Sequence, residues 1–268
     1  MLFLPEIETR AQLEERIANN DNLPASMLYC IACIQENVLY LNGSPHNTFQ
    51  PSVLEMATDF GSTVAGNDFK SGQTRFKTAM GDFLIGSGLR LSSVVSYNHL
   101  GNNDGKNLAE EKCFESKRIS KSGVLDDAIR NNKVIYPDHD KNVDHDIVIR
   151  YIPFVGDSKK ALDEYSSKIF MGGTNTIMSY NICEDTLLAT PMMIDMVVIG
   201  ELLNRITIDG KKLGPVLSYL GFFYKAPSTN HDGYVVHSYN MQREILTSLM
   251  KAAAGFANND NTLISFGY

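Results

Sequence analysis

An α/β layered fold is what this sequence predicts, and three observations predict it. Strand-like and helical runs alternate through the middle of the chain: 91–97 (LSSVVSY), 123–132 (GVLDDAIRNN), 146–152 (DIVIRYI), 158–170 (SKKALDEYSSKIF) and 174–181 (TNTIMSYN). Alternation of that kind lays helices against a sheet. The composition, 43% hydrophobic and 21% charged over 268 residues, is that of a globular chain with a real core. The loops, above all 98–122, are long and rich in Asn, Asp, Gly, Ser and Lys, as functional or disordered loops are.

The elements follow in order. Residues 6–20 read as a polar amphipathic helix and 26–38 as a more apolar one. Asn42-Gly43-Ser44-Pro45 is a turn cluster. Residues 50–60 form a short helix with proline near its start. Residues 62–65 are strand-like, and 75–88 are helical, ending in glycines. Strands are expected at 91–97, 146–152 and 174–181, where β-branched residues accumulate. Helices are expected at 123–132 and at 158–170, the latter capped by Asp157 or Ser158. The last third reads as three helices: 191–206, 213–224 and 241–254.

Net charge is −7, which argues against a nucleic-acid partner. Four cysteines, Cys30, Cys33, Cys113 and Cys183, are too few for a disulfide scaffold of this length. The first residues carry no basic region before an apolar run, so no secretory leader is expected. Residues 191–206 contain Asp195 and Glu201 and are expected to be too short and too charged to span a membrane. A soluble, cytoplasmic chain with reduced thiols is the expectation.

Several segments could carry chemistry. Residues 66–74 (GNDFKSGQT) precede a helix, so small residues and a helix N-terminus could cradle an anion, but on spacing alone a plain polar loop with a capping Ser or Thr is the better reading. Residues 98–105 (NHLGNNDG) follow a strand, where sites in α/β proteins gather, or they form an Asx-turn loop. Lys117 and Lys121 are four apart; Lys159 follows a strand and Lys225 a helix. Lysines clustered at strand ends can act as acids, bases or oxyanion stabilisers. The Asp138-His139-Asp140 and Asp144-His145-Asp146 triplets suggest metal ligands, but a hydrated loop explains them better, and no metal is expected. Cys30 and Cys33 sit in an apolar helix as small hydrophobes. The sequence has no G-x-G-x-x-G, G-x-S-x-G or H-E-x-x-H.

The strings NGSPHNTF (42–49), KSGQT (70–74), SYNHLGNNDG (96–105), SKRISKS (116–122), VGDSK (155–159), DEY (163–165), MGG (171–173), CEDTLLATP (183–191) and YKAP (224–227) occur in one order. In wording and order they resemble the C-terminal half of the inositol-3-phosphate synthases of eukaryotic type, over about residues 5–257. The resemblance implies a partial Rossmann-like domain plus an α/β tetramerisation and catalytic domain with a mixed sheet. By that template, residues 1–74 end the Rossmann part, 75–187 form the tetramerisation domain, and 188–268 return helically. It implies NAD as cofactor, glucose 6-phosphate as substrate and a homotetramer.

The family oxidises the sugar at C5, forms an enolate at C6, closes the ring by intramolecular aldol attack on C1, and returns the hydride. Carried over, Ser71, Gly72, Gln73 and Thr74 would hold the phosphate, helped by Lys121 and Lys159. Lys117 would move the proton at the oxidised hydroxyl, and Lys225 and Lys159 would stabilise enolate and alkoxide charge. Asp68, Asn98, Asn102, Asp104 and Asp185 would orient lysines and hydroxyls or meet the nicotinamide end, and Ser44 would lie against NAD.

Asn67 stands where the family more often has Asp, His46 replaces a usual Gln, and Phe69 a usual Leu. The family's Gly-rich dinucleotide turn has no counterpart in this sequence, so weak NAD binding by the chain alone is expected. Two other readings stand beside the enzyme: a catalytically inactive homologue serving as an oligomerisation or phosphosugar-binding module, and a simple dehydrogenase releasing ketone and NADH.

Overall fold

The computed structural model describes residues 6–107, 125, 129, 132–137, 143–229 and 235–256. Helix α1 (Arg10–Ala18) starts at a reciprocal cap, in which Thr9 and Gln12 each accept from the other's backbone N–H. Helix α2 is Ala25–Gln35 and α3 is Pro51–Phe60, with proline at its first turn. Between and after them lie two short parallel strands, β1 (Tyr40–Asn42) and β2 (Val64–Gly66). Strand β1 is hidden in the sequence by its brevity. A parallel bridge from Val64 to Val216 adds a third backbone to this small sheet.

Its two faces are both covered. Val64 and Val216 turn into a core with Met27, Cys30, Ile34, Val53 and Met56 from α2 and α3. Their chain neighbours Ala65 and Leu217 turn the other way, onto Met192, Met196, Leu203 and Leu246. Strand alternation makes this split, and parallel strands buried on both faces are the doubly wound pattern. The helices on the second face are α6 (Asp185–Arg205) and α7 (Tyr239–Ala253).

Helix α4 (Gly72–Gly86) leads from β2 to a four-stranded mixed sheet in the order β4-β3-β5-β6. Here β3 is Arg90–Leu100, β4 Asp144–Tyr151, β5 Ser158–Lys168 and β6 Thr174–Glu184. Strand β3 runs parallel to β4 and antiparallel to β5, which runs antiparallel to β6. A short helix, α5 (Asn103–Asn107), follows β3. Leu84 and Ile85 of α4 pack with Leu91, Val94, Tyr136 and Tyr165 in a third core. Strands β7 (Thr207–Ile208) and β8 (Lys211–Lys212) make a small hairpin.

Four expectations are corrected. Residues 158–170 are mostly strand β5, because Ala161, Asp163, Tyr165 and Ser167 alternate with more exposed neighbours; tertiary pairing overrides the helical propensity of Lys, Ala, Leu and Glu. Residues 213–224 hold a 3-10 segment, Ser218–Phe223, and not an α-helix. The Asp144-His145-Asp146 triplet lies in β4 rather than a loop. Helix α6 starts at Asp185 and continues through Pro191, so by length and composition it is apolar enough to cross a membrane; the shorter stretch read from sequence was not. The expected helix 123–132 and the Asp138-His139-Asp140 triplet lie largely or wholly outside the described residues.

Candidate functional site

Three separated loops are laced together at the carboxyl ends of β1 and β2. Backbone N–H groups of Asp68 and Phe69 donate to Ser44 O (3.0 Å) and Gly43 O (3.1 Å). Those of Asn67 and Lys70 donate to Ala226 O and Phe223 O, both at 2.7 Å, and Lys225 N donates to Asp68 O at 2.7 Å. Gly43 permits the approach: a Cβ there would lie 2.0 Å from the Phe69 ring. The lacing places Lys225 Nζ 3.0 Å from Asp68 Oδ1, with both side chains buried. Ser44 donates its hydroxyl to Asn42 Oδ1 (2.9 Å), and Asn42 Nδ2 donates to Asn67 Oδ1 (2.5 Å).

A second group gathers where β3 and β6 end and β5 begins. Gly101 touches Gly156 so closely that a Cβ would lie 2.2 Å from Gly156 N. Across that contact Asn102 Nδ2 donates to Asp157 Oδ1 (3.2 Å), and the Asp157 carboxylate also accepts from the Thr186 hydroxyl and backbone. Those donors from Thr186 and Asn102 outweigh the effect of burial and hold the Asp157 carboxyl below its usual range. Lys159 Nζ stands 3.9 Å from Asp185 Oδ1. Asn102 also caps α5 by accepting from Gly105 N at 2.9 Å.

The first turn of α4 joins the two groups. Ser71 is its N-cap and makes no side-chain cap bond. Gly72 has φ +47°, and a Cβ on it would meet Leu188, Cys183 Sγ and Asp185 Oδ1 at 3.1, 3.8 and 4.0 Å. So the Ser71–Thr74 turn follows Asp68, the partner of Lys225, by three residues in the chain and packs against Asp185, the partner of Lys159. Unbonded N–H groups at a helix start, with two lysine–carboxylate pairs on the adjoining segments, make a place for an anion.

The helix continues over the sheet with a polar underside. Gln73 Nε2 donates to Asp163 Oδ1 at 2.7 Å. One turn on, Lys77 Nζ lies 3.0 Å from His145 Nε2. Burial lowers the Lys77 ammonium to about 8; Asp163 opposes that shift and Lys159 adds to it. Lys77 lies in none of the motif strings, and Asp163 enters only as part of the DEY string, with no role of its own. Only the four-residue spacing of Gln73 and Lys77 hinted at a shared polar face, and Asp163 was assigned to a helix.

Of the residues expected to act, Ser44, Asp68, Lys225, Ser71, Gly72, Gln73, Thr74, Lys159, Asp185 and Asn102 are brought into these two linked groups. Asn98 lies deeper, buried in the sheet, its Nδ2 donating to Ser96 O (3.4 Å) and Val148 O (3.2 Å). Lys117, Lys121 and the side chain of Asp104 fall outside the described residues. Among the described residues no group of three or more His, Cys, Asp or Glu converges as a metal site.

An α/β protein with a small doubly covered parallel sheet, a mixed sheet, and lysine–carboxylate pairs around a helix N-terminus is the class this arrangement defines. Residues 4–251 match the family model, of NAD-binding type, described as myo-inositol-1-phosphate synthase. The chain belongs to that family. It is 44% identical over 254 residues to the inositol-3-phosphate synthase of Mesembryanthemum crystallinum, covering 92% of this chain and 49% of that protein. It is 46% identical over 247 residues to inositol-3-phosphate synthase 1 of Oryza sativa subsp. japonica, covering 90% and 48%. The crystal structure of inositol-3-phosphate synthase from Caenorhabditis elegans superposes with a TM-score of 0.93 at 44% identity, over 98% of this chain and 52% of that one. The chain thus spans about half the length of the curated relatives it matches.

Proposed function

We propose that this chain acts as part of an inositol-3-phosphate synthase: an NAD-dependent isomerase that converts D-glucose 6-phosphate to 1D-myo-inositol 3-phosphate. The observation that carries the proposal is that the Ser71–Thr74 turn adjoins both pairs: Asp68, bonded to Lys225, precedes it in the chain, and Asp185, paired with Lys159, packs against Gly72. A phosphorylated sugar anchored by that turn would have both ammonium groups in its surroundings. The turn's N–H groups and the Ser71 hydroxyl would hold the phosphate, with Lys159 beside it. Lys225, buried and oriented by Asp68, would stabilise oxyanion charge that develops on the sugar as it enolises and closes. Lys117 and Lys121, by family resemblance, would complete the lysine set and move the proton at C5.

The residues present fit the nicotinamide end of NAD. Ser44 and Asp68 follow the carboxyl ends of two parallel strands, where dinucleotides bind in doubly wound sheets. NAD, when bound, supplies the hydride acceptor and donor at C5. Asn42, the last residue of β1, adds polar atoms at that edge, and by family resemblance Asp185 would meet the same cofactor. The division at residues 75 and 188 into a Rossmann part, a sheet domain and a helical return is supported by three core clusters that fall largely on either side of those points. A homo-oligomer is supported by the side of the mixed sheet that the described residues leave uncovered, on which Met178, Tyr180 and Ile182 of β6 are 61%, 63% and 54% exposed. A cytoplasmic location belongs to the same reading.

Calorimetric titration of the chain with glucose 6-phosphate, paired with an assay for inositol phosphate in the presence of NAD, tests the proposal. Saturable binding that falls about a hundredfold in Lys225→Met is expected, since the buried pair with Asp68 and its ammonium would be lost. Turnover should leave no net NADH. Binding with no turnover would favour the phosphosugar-binding module, accumulating NADH would favour a dehydrogenase, and no binding of glucose 6-phosphate would remove the proposal.

A further inference from the structure

Beneath the Ser71–Thr74 turn lies a layer of polar side chains that the proposed chemistry does not use. Gln73, Thr74, Lys77 and Thr78 of α4 are all buried, as are Ser96 and Asn98 of β3 and Asp163 of β5. The register sets Ser96 opposite Asp163 and Asn98 opposite Ala161, so their side chains share the sheet face under the helix. The C-terminal half of α4 packs by Leu84 and Ile85 on the same sheet. One helix is therefore seated on hydrocarbon at one end and on charge at the other.

Lys77 is the centre of the polar end. It is 2% exposed, as is Asp163. Its ammonium has three N–H groups, and His145 Nε2 stands within hydrogen-bond distance at 3.0 Å. Asp163 holds Gln73 at 2.7 Å and accepts from Tyr165 OH at 3.4 Å. The Gln73 Oε1, Asn98 Oδ1 and Ser96 Oγ atoms are buried with no hydrogen-bond partner among the described residues. Burying a charge this deeply opposes folding unless it is paired. Hydrocarbon of the same length would seat the helix more cheaply, so packing alone does not account for an ammonium here.

We propose that Lys77 is a positioning residue for the phosphate end of the substrate: held between His145 and the Asp163–Gln73 pair, its ammonium fixes the first turn of α4 and sets a buried positive charge directly behind it. Gln73 sits in the turn and is tied to Asp163; Lys77, one turn on, is bonded to His145 and lies in the field of Asp163. The same ammonium adds to the positive end of the helix. An anion on the turn and a proton on Lys77 therefore stabilise each other. The titratable groups facing Lys77 are His145 on β4 and Lys159, Asp163 and Tyr165 on β5; β3 offers only the neutral Ser96 and Asn98. This inference rests on the proposed binding of glucose 6-phosphate at Ser71–Thr74.

Linkage gives the test. Lys77 is lowered to about 8 by its burial. A phosphate monoester has lost its second proton by about pH 6, so above pH 7 the ligand does not titrate. Calorimetry of the full chain with glucose 6-phosphate at pH 8.5, in two buffers of different ionisation enthalpy, should show proton uptake on binding. Affinity should fall about tenfold from pH 7 to 9.5. In Lys77→Met, affinity at pH 7 should be about tenfold weaker, the pH slope flatter and the uptake reduced, with an unchanged circular dichroism spectrum.

Should that variant fail to fold, Asp163→Asn carries the test: loss of its attraction should move the inflection to lower pH. Binding whose uptake and slope are the same in wild type and variants would overturn the role of Lys77 while leaving the substrate reading intact. Absence of glucose 6-phosphate binding by the wild type would overturn both.

Discussion

Lys77 gives up its proton near pH 8 in the folded chain because its surroundings penalise the charge, against 10.5 as its ordinary value. Below pH 8 both the folded and the unfolded chain carry that proton, and the whole penalty opposes folding. Between pH 8 and 10.5 the unfolded chain binds more protons, so stability rises with pH; above 10.5 the gain is complete. The gain amounts to about 3 kcal/mol. Chemical denaturation of wild type and Lys77→Met across pH 8–10 should show this rise in the wild type only. The Lys225–Asp68 pair follows different arithmetic. Lys225→Met or Asp68→Asn alone should cost about 3–5 kcal/mol, because each breaks a buried ion pair. The double replacement should cost less than the sum, and a denaturant double-mutant cycle measures the difference.

Among the elements, the ends of β3 and β5 are decided by a contact between two glycines. Gly101 N donates to Gly156 O at 3.1 Å, and no Cβ fits between the two backbones. That contact sets Asn102 on Asp157, and Asp157 on the first turn of α6. Gly101→Ala must push the two loops apart, since the obstructing atoms are backbone. We expect a loss of about 1–3 kcal/mol in urea unfolding and a weaker phosphosugar affinity, because Lys159 and Asp185 ride on the displaced segments. A variant with wild-type unfolding and affinity would contradict this account of the loop.

For the molecule as a whole, the described residues cover the mixed sheet on one side only. Helix α4 takes the side carrying Val94, Asp163 and Tyr165, while Tyr97, Met178, Tyr180 and Ile182 stay exposed on the other. Residues Leu187, Ile194, Val197 and Val198 of α6 are exposed as well. Apolar surface on that scale is ordinarily buried against a partner. Tyr180→Asp together with Ile182→Asp should shift sedimentation toward the monomer, with far-UV dichroism unchanged. Unaltered sedimentation would rule out this face as the contact.

Much was legible in the chain itself. Proline at the start of α3, the Thr9–Gln12 spacing and the β-branched run of β4 are local signals, and local signals decide where most elements begin. The motif strings also named the family, because Ser71–Thr74, Asn102 and Lys225 occur in an order that chance does not produce. Tertiary structure decided the rest. Residues 158–168 form a strand because β3 and β6 bond both of its edges, a gain no local propensity expresses. Lys77 matters only because α4 folds it onto His145 and into the field of Asp163, 68 and 86 positions away in the chain. Burial is a property of distant neighbours, and the energy of a charge depends on its burial before anything else.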